Sequence, residues 1–175
     1  MPLTATQLRK ALDVMDEAEL RELIEALYKA STDNKRFLTS RLENDKSELL
    51  EVYVKELEKC FDPKKGELRV ASAKKAMQNY LRVASPVEML QAKIRYVGAA
   101  LAYWQKLPYW PENHDTTLGN MLKDITNVAL NYPEQSEILN NVHRIGREFI
   151  KQERKFGCFD WHVQIYKDFA KALEK

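Results

Sequence analysis

Apolar residues recur along this chain at a spacing close to 3.6, and no window keeps the strict alternation of a half-buried strand. The pattern predicts about nine helices, near 5–14, 17–30, 34–43, 46–61, 71–84, 86–107, 116–131, 133–155 and 160–173. Leu20, Leu23, Ile24, Leu27 and Tyr28 share one face of the second. Three starts are marked by capping boxes at Thr4…Gln7, Asp16…Glu19 and Ser85…Glu88, where two side chains three residues apart satisfy orphan backbone donors reciprocally. Pro86 follows the last of these at the first helical position, where its missing N–H costs nothing. The sixth helix differs from the rest, because Ile94, Tyr96, Val97, Ala99, Ala100, Leu101 and Trp104 leave it almost no polar face. A helix apolar all round is enclosed by protein, so this one is expected at the centre, with Gly98, Ala99, Ala100 and Ala102 admitting close neighbours. Short links predict antiparallel hairpins. The expected fold is all-α: an irregular stack or bundle of about nine helices around a central buried helix (about 86–107). It reads as a single domain over 1–175, with a sub-boundary at the loop 62–70, where Pro63 and Gly66 bracket Lys64 and Lys65.

Composition narrows the class. A chain of 175 residues with 45% apolar and 31% charged residues can bury a core and is no disordered tail. Five glycines and six prolines argue against turn-dense sandwiches, barrels and glycine-rich phosphate loops. Two cysteines support no disulfide framework, and Cys60 and Cys158 read as small apolar fillers. The longest apolar run, Val97 to Trp104, falls well short of the roughly 20 residues a membrane span needs, and the opening residues lack the order of a secretory signal. The expectation is a cytoplasmic protein without a membrane segment.

Several stretches are similar to an uncharacterised family of small all-helical proteins: Glu19-Leu20-Arg21-Glu22-Leu23-Ile24 leading into Leu27-Tyr28, then Asn34-Lys35-Arg36-Phe37-Leu38. The stripe of the fourth helix, the basic turn Asp62-Pro63-Lys64-Lys65-Gly66 and Lys74-Lys75-Ala76 continue the likeness. The resemblance implies a similar length and helical architecture; it carries no activity, cofactor or catalytic residue with it.

Charge is uneven although the whole chain sums to only +2. Residues 1–62 hold ten basic and fourteen acidic side chains, whereas residues 63–107 hold nine basic ones against Glu67 and Glu88. The middle third is therefore a candidate polyanion-binding segment, with Lys64, Lys65, Arg69, Lys74 and Lys75 as the residues that would meet phosphate oxygens. The bland alternative is a set of solvated helix faces neutralised by the acidic first third. The first two helices also look like the helix–turn–helix of small nucleic-acid-binding modules. The second, however, carries Glu17, Glu19, Glu22 and Glu25 against Arg21 and Lys29, which phosphate would repel, so hairpin packing is the better reading.

The remaining chemistry is sparse. His114, His143 and His162 lack the i, i+4 pairing of a helical zinc site. His162 lies on the stripe of Ile165, Phe169 and Leu173, which suggests a buried histidine bonded to a backbone group. Glu153 falls within the stripe of Leu139, Val142, Ile145, Gly146, Phe149 and Ile150. A covered carboxylate there would have a raised pKa unless paired. Tyr109 and Trp110, in a proline-bounded loop, are candidate partner-binding residues. The leading expectation is a non-catalytic helical scaffold or protein-interaction domain with an unidentified protein partner and no cofactor or metal. The alternatives are nucleic-acid or polyanion binding through 63–107, and an enzyme or metal protein around His143, Glu153 and His162.

Overall fold

The computed structural model describes residues 2–62, 64, 68, 70–107 and 112–174, and within them the chain is all-helical. The helices are α1 (Ala5–Leu12), α2 (Glu17–Ala30), α3 (Thr32–Leu42), α4 (Ser47–Cys60), α5 (Val70–Leu81), α6 (Pro86–Trp104), α7 (Glu112–Ala129), α8 (Ser136–Phe156) and α9 (Asp160–Leu173). They fall into two compact units, Met1–Leu49 and Leu50–Lys175.

Local chemistry sets most of the helix ends. All three capping boxes form, at Thr4/Gln7, Asp16/Glu19 and Ser85/Glu88. Ser31 ends α2 in an extended conformation and at once accepts from the Asn34 N–H to start α3, so the two helices turn without a loop. Two expected starts move. The helix expected from 116 begins at Glu112, which puts His114 and Asp115 on α7 rather than in a loop. Pro133 does not open α8: it follows Tyr132, whose carbonyl accepts from the Gln135 N–H, so proline occupies the first corner (i+1) of a β-turn and α8 waits until Ser136. Gly157 ends α8 in the left-handed region at φ 67°, its N–H returning to the Glu153 carbonyl at 2.8 Å.

In the unit 1–49, α2 packs against α3. Ser40 and Leu49 are its buried residues, and α1 and α2 bury none. The apolar stripe of α2 stays half in water, with Ile24 and Leu27 each 48% and Tyr28 42% exposed.

The unit 50–175 is a well-filled bundle. Nine residues of α6 are buried, and α5, α7 and α8 pack on it, as expected of a central helix. Arg144 of α8 lies against Gly98, Gln105 bonds Glu148, and Lys155 Nζ donates to the Gln105 and Leu107 carbonyls. Those contacts advance together along both helices, so α6 and α8 run parallel. From α4, the Tyr53 hydroxyl donates to the Ala92 carbonyl at 2.8 Å inside the core. Phe61 meets Tyr96 and Trp104 edge-on, with centroids 5.5 and 5.9 Å away. Two expectations about α6 are corrected. Its helix ends at Trp104 rather than 107, and Ala102 is exposed while Gly98 and Ala99 are half-buried. The small side chains on that edge leave a neighbour nothing to cover, and the close approaches occur elsewhere, at Gly119 and Gly146. Cys60 is buried as expected, whereas Cys158 is exposed, because it follows the turn-making Gly157 and lies outside both flanking helices.

Candidate functional site

The basic residues of the middle third meet several different surroundings. Lys64 is exposed, its backbone N–H tied to the Asp62 carboxylate at 2.9 Å. Lys74 is half-buried on α5, and its ammonium donates to Thr117 Oγ1 of α7 at 3.2 Å. Lys75, the next residue, is exposed, about 100° further round the helix. Lys93 pairs with Asp124 of α7, and Arg95 and Lys106 are exposed on α6 or just beyond it. Lys65, Arg69, Tyr109 and Trp110 lie outside the described residues.

The histidines occupy three separate settings. His114 lies half-buried with its ring centroid 5.4 Å from that of Trp104; burial and the Lys74 ammonium hold its pKa below the usual value. His143 Nδ1 is 3.1 Å from the Tyr166 hydroxyl, joining α8 to α9. His162 is fully buried, stacked on Phe149 at 4.7 Å, with Nε2 3.2 Å from the Asp115 carbonyl and 3.5 Å from Asp115 Oδ1. Only a protonated Nε2 can bond that carbonyl, which leaves Nδ1 as a bare buried acceptor without a partner. Burial pushes the His162 pKa down, and the Asp115 and Glu153 charges oppose it only in part. The expected bond from His162 to a backbone group is present.

Glu153 has a structural task. Its carboxylate accepts from the Phe159 N–H at the head of α9, while its own carbonyl accepts from Gly157. One residue therefore clamps both sides of the α8–α9 turn, with an anion beside a helix N-terminus. Glu153 and His162 share a neighbourhood, but His143 is bonded elsewhere. Among the described residues, no three His, Cys, Asp or Glu side chains gather as a metal set would require.

Two members of the buried polar centre were not signalled by the sequence. Asp115 lies 47 residues before His162 and is joined to it only by the fold. Gln152 sits on the core side of α8 with Oε1 unpartnered, among residues whose spacing says only that the face is buried. A histidine fixed to a carbonyl, a stacked phenyl ring and a carboxylate clamping a turn hold α7, α8 and α9 together.

Most of the large exposed apolar residues lie in the unit 1–49. Leu3, Leu8, Val14, Ile24, Leu27, Tyr28 and Leu42 are seven of the nine large apolar residues exposed among those described. Four glutamates stand along α2 against Arg21 and Lys29, while α1 carries the exposed Arg9 and Lys10 and the Lys35 ammonium lies 5.6 Å over the Tyr28 ring. Arg21 is paired with Glu17 and Lys29 with Glu25, so Glu19 and Glu22 dominate what remains, Glu19 also serving the cap. No helix of the described residues is long and apolar enough to cross a membrane. Comparison with known proteins finds no matching family model, no matching curated protein and no matching solved structure, so any reading of function rests on this chain's own residues.

Proposed function

We propose that this chain is a non-catalytic helical protein-interaction domain that works through the apolar face of α1 and α2. The observation that carries the reading is the stripe Leu20, Leu23, Ile24, Leu27 and Tyr28, which helical periodicity aligns and which no part of its own unit buries fully. Contiguous apolar surface of this kind marks contact sites in soluble proteins. Its chemistry selects the occupant. The glutamates of α2 disfavour nucleic acid and anionic lipid along that helix, and its apolar stripe suits the apolar face of a partner helix.

A photo-crosslinking residue placed at Leu27 in the full chain tests this in cells, with Ile24→Asp in the same background as control. Both positions are half-exposed, so circular dichroism should be unchanged. The expected result is a discrete protein adduct, insensitive to nuclease and lost in the Ile24→Asp chain. No adduct, an adduct to nucleic acid or lipid, or one made only of a second copy of this chain would overturn the assignment.

A further inference from the structure

Within the unit 50–175, a cleft of about 500 Å³ opens between α6 and α8. Its lining mixes the buried Ala92, Ile94, Ile138 and Tyr80 with the polar Gln91 and Asn141. Two arginines line it, Arg95 from α6 and Arg144 from α8. Arg144 faces α6 at Gly98: a Cβ built there would meet only Arg144 Nη2, at 3.9 Å. Arg95 lies three residues before Gly98, one turn away on the same side of the helix. Its charge reaches the cleft wall, where it opposes the rise in the Tyr80 pKa that burial and the Glu88 carboxylate cause.

Among the described residues, neither guanidinium has a carboxylate within 4.0 Å; Arg144 bonds the Asn141 side-chain oxygen at a long 3.4 Å. Elsewhere in this unit Lys55, Lys59, Lys93 and Lys151 each have a carboxylate partner, in Glu51, Glu56, Asp124 and Glu148. The acids of the cleft stand at its other end. Glu88 is engaged by the Ser85 N–H in the α6 cap, and Glu137 lies in the first turn of α8, seven residues and about 10 Å along the helix from Arg144. Two arginines without a carboxylate partner, lining one cleft together with apolar residues, suit an anion with an apolar body.

We propose that this cleft binds a small organic oxyanion, its carboxylate or phosphate held between Arg95 and Arg144 and its apolar part laid on Ala92, Ile94 and Ile138. The volume suits a ligand with an aromatic ring or short aliphatic chain, and the planar guanidinium fork suits either kind of oxyanion. This site is independent of the α1–α2 face and stands or falls separately from it.

The test is titration of the full chain with phenyl phosphate, benzoate, benzyl alcohol and benzylamine, followed by amide NMR shifts at Gly98 and by calorimetry. At least one of the two oxyanions should shift the Gly98 amide saturably, and which one distinguishes a phosphate from a carboxylate ligand. The neutral alcohol and the amine should bind about tenfold more weakly or not at all, and Arg95→Ala and Arg144→Ala should each weaken the oxyanion about tenfold. Both arginines are exposed, so the variants should keep the wild-type melting curve, and added salt should weaken binding. Equal binding of all four compounds, preference for the amine, unchanged affinity in both variants, or no oxyanion binding up to about 10 mM would overturn the proposal.

Discussion

Gly146 is the position where the packing of the bundle is most exposed to test. It lies buried in the middle of α8, and a Cβ built there would fall well inside 3.0 Å of Tyr166 Cγ, Cδ2 and Cε2 on α9. In an unconstrained helix interior, alanine for glycine stabilises by about 1 kcal/mol. Here the added methyl must displace the root of a ring rather than its flexible end, and that ring is held by the bond from its hydroxyl to His143. Overpacking of this kind costs roughly 1–3 kcal/mol, and loss of the Tyr166–His143 bond adds about 1 kcal/mol. After subtracting the helix gain, Gly146→Ala should destabilise by about 1–3 kcal/mol, lowering Tm by roughly 2–12 °C for a chain of this size. Two other glycines calibrate the effect. At Gly119 the new methyl would overlap the far edge of the Trp161 ring, which is 43% exposed and can swing into water. Gly119→Ala should therefore change stability by less than about 1 kcal/mol and red-shift the Trp161 emission. At Gly98 only Arg144 is near, at 3.9 Å, so Gly98→Ala should stabilise by up to about 1 kcal/mol. Thermal and urea melts of the three variants supply the order. Gly146→Ala melting at or above wild type, or Gly98→Ala proving the least stable, would refute the packing described for α8 and α9.

Two further outcomes follow from buried polar groups. Tyr53→Phe removes a donor from the Ala92 carbonyl and should cost about 1 kcal/mol, whereas the Tyr96 hydroxyl is buried with no partner, so Tyr96→Phe should be neutral or stabilising in the same urea titration. His162 has a lowered pKa in the folded chain, so between that value and 6.5 the unfolded chain binds the extra proton. Stability should thus be lost as pH falls below about 6.5 and be fully present above it. His114, lowered by burial and Lys74, acts in the same sense. Urea midpoints at about pH 7.5 and 5.5 should differ more for wild type than for His162→Phe, and equal slopes in the two proteins would refute a neutral His162 in the core.

How far the sequence could be read depended on the range of each cause. The capping boxes are decided within three or four residues and form as the spacing says, and the structure adds that Gly157 ends α8 in the αL region. The burial of α6 was legible for a related reason, since its second half has almost no polar face, although Arg95 and Ala102 remain exposed. The start of α7 was not, because Glu112-Asn113-His114-Asp115 contributes no apolar residue before Leu118 and so no periodicity to detect. The bond between Asp115 and His162, and the seats that Gly119 and Gly146 provide for Trp161 and Tyr166, join helices distant in sequence. A single sequence marks such residues only as members of a stripe. Glu153 illustrates the limit: its position on the inner face was legible, but its partner is a backbone N–H across a turn.

The same helical code has two different outcomes in this chain, and the contrast bears on function. In α8, Ile138, Val142, Ile145 and Phe149 follow the i, i+3, i+4 spacing and are almost wholly buried. In α2, Leu20, Leu23, Ile24 and Leu27 follow it equally well, yet Ile24 and Leu27 keep about half their surface in water. Fully burying such a side chain is worth about 1.5–3 kcal/mol, so each half-exposed member still holds about 1 kcal/mol that a covering surface would release. Over Leu8, Ile24, Leu27 and Tyr28 that comes to about 4 kcal/mol, comparable to the lower end of a small domain's whole stability. A unit whose buried residues are Ser40 and Leu49 has little core with which to offset that exposure. Intrinsic propensity, caps and the Glu17–Arg21 and Glu25–Lys29 pairs hold the α2 helix, but they do not require its outer face to be apolar. A partner that covers the face would account for it, and this supports placing the interaction on α2 rather than on the histidines, whose bonds hold the bundle together.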